Sequence, residues 1–438
     1  MLSRKRLFKI HGWIGVKLSI LFFIVCFSGT LATLSNEMDW LVTPAIRAGL
    51  QEELAGKNLM VRNLKAAFPE SSLAYWSSAG ESYLCDIVHV RDVNNQRTYA
   101  FVNPYTAEVQ GSAKLTMQRY FRDLHYFLFI PFQFGHFTVL SFSFLLLFSM
   151  VTALYFYRKW YRKIFDLKRG KGPVVLFRSL HRLVGIWTIP FVMLFSVTGI
   201  WYFLERSNIG GISKIANTRT PELKHPLPDS IDLKQFAWSL DYDRAADSAR
   251  AHIPGLVIKQ ISPPGKHDRP IYLTGKSDVA LVRNRANQVY VHPLTYEVIK
   301  VQRADEIPTV AWLNNIADPL HFGNFGGLPT KILWFLAGLG ISGLVLTGIW
   351  ISLKRKVKSE EARKAQRLGG WKYFNWAVVL LMFGFMYQHL TVRYQADWPL
   401  LLLILVGWAL VGLGAWYLFV YRLKQMVDRA RPRVKNTG

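Results

Sequence analysis

HGWIGVKLSILFFIVCFSGTLATL, residues 11–34, opens on His11 and runs to Leu34 with a single charge, Lys17. An apolar helix of about 20 residues is what crosses a hydrocarbon core roughly 30 Å thick. Inside lipid a helix also satisfies every backbone N–H and C=O within itself. Five further stretches have the same character, at 136–157, 183–204, 330–352, 374–392 and 398–420; the one at 374–392 carries Gln388 and His389, with Arg393 just beyond. The first stretch is too long for a cleaved signal peptide and lacks a small-residue cleavage site, so it is expected to stay as an anchor.

Hydrophobic residues make up 51% of the 438, and their arrangement in blocks separates a membrane protein from a soluble one of two or three domains. The formal net charge of +26 could suggest a nucleic-acid partner, so the location of the charge decides its meaning. Four Lys and Arg precede the first span, nine lie in 158–182, eight in 353–372 and six follow 420, against Asp166, Glu360, Glu361 and Asp428. These segments alone supply +23 of the +26. They alternate with the spans as the positive-inside rule requires, which places both termini in the cytoplasm and turns the charge toward anionic membrane lipid. No basic domain exists outside these short segments, so no nucleic-acid partner is expected. Of the two cysteines, Cys26 lies in a span and Cys85 in an extracytoplasmic region. They are not expected to pair, and two thiols cannot build a thiolate metal site.

About a hundred residues separate the first two spans and about 130 the third and fourth, too many for structureless loops. Each stretch shows strand signals. In the first, Tyr83, Cys85 and Ile87 alternate with Leu84, Asp86 and Val88, and Asn94-Asn95 supplies a turn before TYAFV. In the second, LVIKQIS, RPIYLTG, VALVRN and VYVHP repeat the pattern, with Pro263-Pro264-Gly265 and Asn284 to Asn287 as turns. FVNPYTAEV at 101–109 matches YVHPLTYEV at 290–298 in V-x-P-x-T-x-E-V, which indicates an internal repeat. Each copy is preceded by an H-x-x-x-G span, at His11 and His181, and followed by Leu-His, at His125 and His321, then a further span. The span interiors echo as well, VTGIW at 197–201 and LTGIW at 346–350.

The four histidines therefore form two matching pairs at the rims of spans, His11 with His181 and His125 with His321. A lone rim histidine is ordinarily an interfacial polar residue, whereas four in a repeated pattern with matched glycines point to axial ligation of haem iron by neutral imidazole. Gly15 and Gly185 stand four residues after His11 and His181, on the same helical face, where the missing Cβ lets a flat macrocycle lie against the backbone. Gly29 and Gly199 stand eighteen residues after those histidines, five turns at about 3.6 residues per turn, which predicts a second small residue on that face near the opposite leaflet. Helix packing is the alternative for the TGIW glycines. A core of roughly 30 Å needs two stacked haems for an electron to cross, so two haems are expected. His136 and His389 are secondary candidates for a ligand, a third haem or a proton relay, and Asp318 is a candidate partner for a histidine N–H. His89, His225, His252, His267 and His292 are expected at the surface. Spans one to four carry almost no charge beyond Lys17, which argues against a transporter, and no catalytic side chain is identifiable. No G-x-G-x-x-G fingerprint is present, so the electrons must come from a membrane quinol or a cytoplasmic donor.

HGWIG with SGTL, RDLH, SLHRLVGIW with VTGI, DPLHFGNFGG and LTGIW before a basic loop resemble the PepSY-associated transmembrane family over about residues 8–355. FVNPYTAEVQG is similar to that family's strand motif, in which glycine is usual where this chain has Ala107 and, in the later copy, Tyr296. The resemblance implies a bacterial inner membrane, periplasmic inserts and similarity to ferric-siderophore reductases. Those carry b-type haems on histidines, here His11, His125, His181 and His321, and deliver electrons to a ferric siderophore in the periplasm. The alternatives are a non-enzymatic PepSY-type scaffold or regulator of periplasmic proteins, and a haem reductase of another periplasmic acceptor.

The expected fold is a membrane all-α helical bundle of six transmembrane helices in duplicated two-helix units, with two α+β PepSY-like periplasmic inserts. Its segments are a cytoplasmic tail with the first span (1–35), the first insert (36–133), the second span (134–157), a basic cytoplasmic loop (158–182), the third span (183–205), the second insert (206–328), the fourth span (329–352), a second basic loop (353–372), the last two spans (373–420) and a cytoplasmic tail (421–438).

Overall fold

The structure, a computed structural model, describes residues 3–157, 159–357, 370–417, 421 and 425. Arg158, the middle of the second basic loop (358–369) and most of the C-terminal tail lie outside the described residues. The chain divides into two compact units, one comprising Met1–Ala32, Phe121–Ile200 and Trp334–Gly438, the other Thr33–Tyr120 and Trp201–Leu333.

The first unit is helical. Among the described residues four helices are long and apolar enough to cross a membrane: α6 (Phe132–Phe156), α8 (Ile189–Arg206), α13 over Gly327–Ser352 of its full Gly327–Val357, and Tyr373–Arg393, built from α14 (Gly370–Gln388) and the π-turn His389–Arg393. The expected first span is not one straight helix. It is a bent pair, α1 (Arg4–Lys17) and α2 (Ser19–Thr33), meeting at 71° across Leu18, and counting it as one span brings the total to five. The expected sixth span is α15 (Trp398–Trp416), whose apolar part, Trp398–Gly414, is shorter than the others.

The HRLVG segment is likewise set off from the helix that follows, because α7 (Pro173–Trp187) ends at Thr188 before α8 begins. Both breaks fall three residues after the glycine of H-x-x-x-G. The five-turn argument that put Gly29 on the histidine face therefore fails, since the helix bends by 71° at Leu18. Gly199 lies against α6, where an added Cβ would sit 2.7 Å from Cβ of Ser143.

The second unit corrects the expectation of two separate inserts. Strands β1 (Ser72–Ser77), β2 (Asp86–Arg91), β3 (Arg97–Val102) and β4 (Val109–Ala113) come from the earlier stretch, and β5 (Val257–Ser262), β6 (Ile271–Lys276), β7 (Asn287–Val291) and β8 (Val298–Gln302) from the later. All eight form one antiparallel sheet in the order β4-β3-β2-β1-β5-β6-β7-β8, joined at its centre by the pairs Trp76↔Ile261 and Ser77↔Gln260. Pairing β1 with β5 removes two exposed edges that separate inserts would each have to protect.

Helices α4 (Lys57–Ala67), α10 (Leu233–Ser239) and α11 (Tyr242–His252) complete a shared core of Met60, Leu64, Val88, Trp238, Ala245, Ile261, Leu273 and Val289. Asp243 of α11 caps α4, accepting the Lys57 N–H at 2.6 Å, so the two stretches interlock through backbone as well as side chains. The expected strand at VALVRN is a turn leading into a short 3₁₀ segment, Asn284–Ala286.

The repeated motif folds the same way twice. Ala107 and Tyr296 both take left-handed φ, 61° and 63°, and both donate their N–H back to the residue before proline, Asn103 and His292. A non-glycine residue in this region is uncommon, about 1 kcal/mol less favourable. The matching hydrogen bonds in each turn hold it there.

Candidate functional site

Three of the four principal histidines lie in the helical unit, and each has its Nδ1 engaged. His11 on α1 donates from Nδ1 to the Ser149 carbonyl of α6 at 3.1 Å, with its ring edge-on to Phe156 at 5.5 Å between centroids. His181 on α7 bonds Oγ1 of Thr347 on α13 at 2.9 Å. The Thr347 hydroxyl donates to the Gly343 carbonyl at 2.8 Å, so it accepts the proton of His181 Nδ1. His125, on α5 (Met117–Phe127), donates from Nδ1 to the Val25 carbonyl of α2 at 2.9 Å. A neutral imidazole with its proton fixed on Nδ1 carries its lone pair on Nε2, the arrangement in which a histidine binds a metal.

The surrounding glycines divide by role. A Cβ on Gly29 would lie 2.7 Å from Cε1 of His125, so this glycine receives the imidazole. Gly348, in the LTGIW stretch, stands 3.4 Å from Cε1 of His181 by the same measure. Gly15 has open space where its Cβ would project, and Gly185 meets only Leu344, at 3.8 Å. His321 belongs to the second unit.

His136 is buried, 3% exposed, one turn into α6; it donates from Nδ1 to the Tyr126 carbonyl at 3.1 Å and stacks on Phe132. His389 opens the π-turn, bonds the Phe385 carbonyl at 3.0 Å and faces Phe127 and Phe129. These aromatics belong to the tight corner between α5 and α6, where Leu128 and Phe129 both have positive φ. Gly135 is required beside it, since a Cβ there would come within 2.0 Å of the Phe127 carbonyl oxygen. Tyr394, just past the π-turn, donates to the buried Asp123, two residues before His125.

In the second unit, His321 sits near the end of α12 (Thr309–Phe322), with the Tyr202 ring edge-on at 5.5 Å. Asp318 was a candidate partner for a histidine; it accepts instead from the Tyr202 hydroxyl at 2.9 Å and from Arg283 at 2.8 Å. His89 is not at the surface but buried between Tyr75 and Tyr99. His225 and His252 are exposed, and His267 and His292 are half-buried.

Lys331, a charge within the expected fourth span, is buried between Glu37 at 2.8 Å and Glu81 at 2.7 Å; its place in an apolar run was the signal, and its two partners had none. A pocket of about 450 Å³ lined by Arg219, Thr220, Arg269 and Tyr272, whose guanidinium charge is partly matched by Glu222, carried no sequence signal. Thr347 did have a signal, the repeated TGIW, but the sequence does not say which histidine it serves. Among the described residues no three His, Cys, Asp or Glu side chains gather as a metal site.

Several apolar helices long enough to span, joined to an α+β unit with a single antiparallel sheet, define a multi-pass membrane protein with a folded domain outside the helical unit. Residues 8–355 match the PepSY-associated TM region, and the chain belongs to that family. It is also similar to PA4219 of Pseudomonas aeruginosa, an uncharacterised protein, with 28% identity over 318 residues that cover 67% of this chain and 78% of that one.

Proposed function

We propose that this protein is a di-haem b reductase of the bacterial inner membrane. In this reading it moves electrons from a quinol or a cytoplasmic donor to a ferric siderophore in the periplasm, and Fe(II) is released. The observation that carries the reading is the common anchoring of His11, His181 and His125, each tied at Nδ1 to an acceptor on another helix. The exposed His252, by contrast, bonds through Nδ1 only to the Ser248 carbonyl of its own helix, so what marks the three is an acceptor on a different helix.

The residues fit the group. The repeated H-x-x-x-G pattern pairs His11 with His181, and open space beside Gly15 suits a flat ring against the backbone. By the repeat in the sequence, in which Leu-His follows each copy of V-x-P-x-T-x-E-V, His125 and His321 would be the second pair. Bound iron porphyrin would supply one-electron chemistry at two depths. The chain's own part is to hold each imidazole in one tautomer and orientation, with Phe156 set edge-on against His11. Fe(II) is less charged and softer than Fe(III), so reduction weakens the hold of a hard-oxygen chelate. With the basic segments facing anionic lipid, both termini are cytoplasmic and the sheet unit is periplasmic.

The test is spectroscopic and then kinetic. Purified protein should show a reduced b-type band, and His→Ala at His11, His125, His181 or His321 should each remove about one haem's share. Protein reduced without oxygen should then be reoxidised by one class of ferric siderophore. A colourless preparation supports a non-enzymatic scaffold, and haem that ignores every ferric chelate points to another periplasmic acceptor.

A further inference from the structure

The chain presents one polar construction of the second unit directly to a candidate ligand, around His321. Pro319 stands inside α12 two residues before it, and a proline has no N–H to give the carbonyl four residues back. That carbonyl, of Asn315, is nearly inaccessible to water and must find another donor. It finds the backbone N–H of Arg283, at 3.1 Å, from the segment that connects β6 to β7.

The Arg283 side chain then fastens the same stretch of helix twice more, Nε donating to Oδ1 of Asn315 at 2.9 Å and Nη1 to Oδ2 of Asp318 at 2.8 Å. The other carboxylate oxygen of Asp318 accepts the Tyr202 hydroxyl at 2.9 Å. With its hydroxyl drawn to Asp318, Tyr202 meets His321 with its ring, at an interplanar angle of 70°. Beside it, Trp201 donates from Nε1 to the buried Asn314 at 3.0 Å, so consecutive residues of α8 are keyed to α12.

We propose that Tyr202, Asp318 and Arg283 are positioning residues for His321, and that through Arg283 the sheet sets the orientation of that imidazole. The proposal rests on His321 being a haem ligand. Arg283 ties the β6–β7 connection to α12, Asp318 relays that constraint to Tyr202, and the Tyr202 ring edge limits the rotation of His321. A planar guanidinium making directed bonds to two acceptors is suited to such a role, and a lysine could supply its charge but not its fork.

The experiment reads the electron paramagnetic resonance of oxidised protein, in which a low-spin ferric haem reports the orientation of its axial imidazoles, together with redox titration of each haem. His321→Ala identifies the signal that depends on His321. Tyr202→Phe keeps the ring but loses the hydroxyl, and Arg283→Gln loses the charge and part of the fork. Both should retain two haems per chain while shifting the signal and midpoint of the His321-dependent haem alone. Arg283→Lys should fall between Arg283→Gln and wild type, and it remains informative if Arg283→Gln fails to fold. Wild-type signals in both Tyr202→Phe and Arg283→Lys would overturn the proposal, as would a shift confined to the other haem. A wild-type protein that carries no haem, or one whose haem content survives His321→Ala, removes the ligand reading itself and the proposal with it.

Discussion

The imidazole of His125 rests on the backbone of Gly29, with Nδ1 bonded to the carbonyl of Val25 one turn earlier on the same helix. Gly29→Ala would place a methyl group 2.7 Å from Cε1 of a ring that this bond holds in place, so the ring must move. Overpacking of this kind destabilises by about 1–3 kcal/mol. The variant should unfold at lower temperature in detergent and lose the haem share that His125→Ala loses. Gly15→Ala is the contrast, since nothing lies within 4 Å of the added carbon. Its unfolding should stay within about 0.5 kcal/mol of wild type. If a macrocycle lies against that backbone, its haem content should still fall.

Thr347 accepts the Nδ1 proton of His181 across 166 residues of sequence. Thr347→Val keeps the shape and removes the acceptor, leaving a buried donor unsatisfied at about 1–3 kcal/mol. The expected result is a lower unfolding temperature and a changed midpoint for one haem, with Thr347→Ser restoring both. Wild-type behaviour of the valine variant would mean that His181 needs no partner at Nδ1.

Asp39, on α3 (Ser35–Val42), accepts the N–H groups of Met117 at 2.6 Å and Gln118 at 2.9 Å and so caps α5, the helix that carries His125. Burial pushes its carboxyl up to about 6, against the opposing pull of those N–H groups. Because the folded value lies above that of the unfolded chain, near 3.9, the contribution to stability is complete below about pH 4 and is lost as pH rises through about 6. A difference of two pH units corresponds to about 3 kcal/mol. Unfolding temperature measured from pH 4 to 7.5 should fall across that window, and Asp39→Asn should flatten the profile. An unchanged slope in Asp39→Asn would assign the pH dependence to another group.

Lys331 is 5% exposed and paired with both Glu37 and Glu81. Lys331→Met leaves two carboxylates without their cation, and breaking a buried pair from one side destabilises by about 3–5 kcal/mol. Replacing Glu37 and Glu81 with leucine in the same chain should recover most of that loss. Equal unfolding temperatures for Lys331→Met and wild type would show the cluster to be solvated.

The family and the principal apolar spans are legible in the sequence alone. Long apolar runs and the alternation of basic segments are sums of local transfer free energies, and such sums need only the residues inside a window. The repeated V-x-P-x-T-x-E-V was legible for a related reason, since each copy closes its turn with its own backbone, at Asn103 to Glu108 and His292 to Glu297.

Tertiary structure alone decided the breaks at Leu18 and Thr188, the fusion of eight strands through Trp76 and Ile261, and the partners of each imidazole. Hydropathy is the same for a straight helix and a bent one, and strand patterning does not name the strand beyond an edge. Val25 and Thr347 meet His125 and His181 only because helices far apart in sequence pack together, and no window along the chain contains that contact.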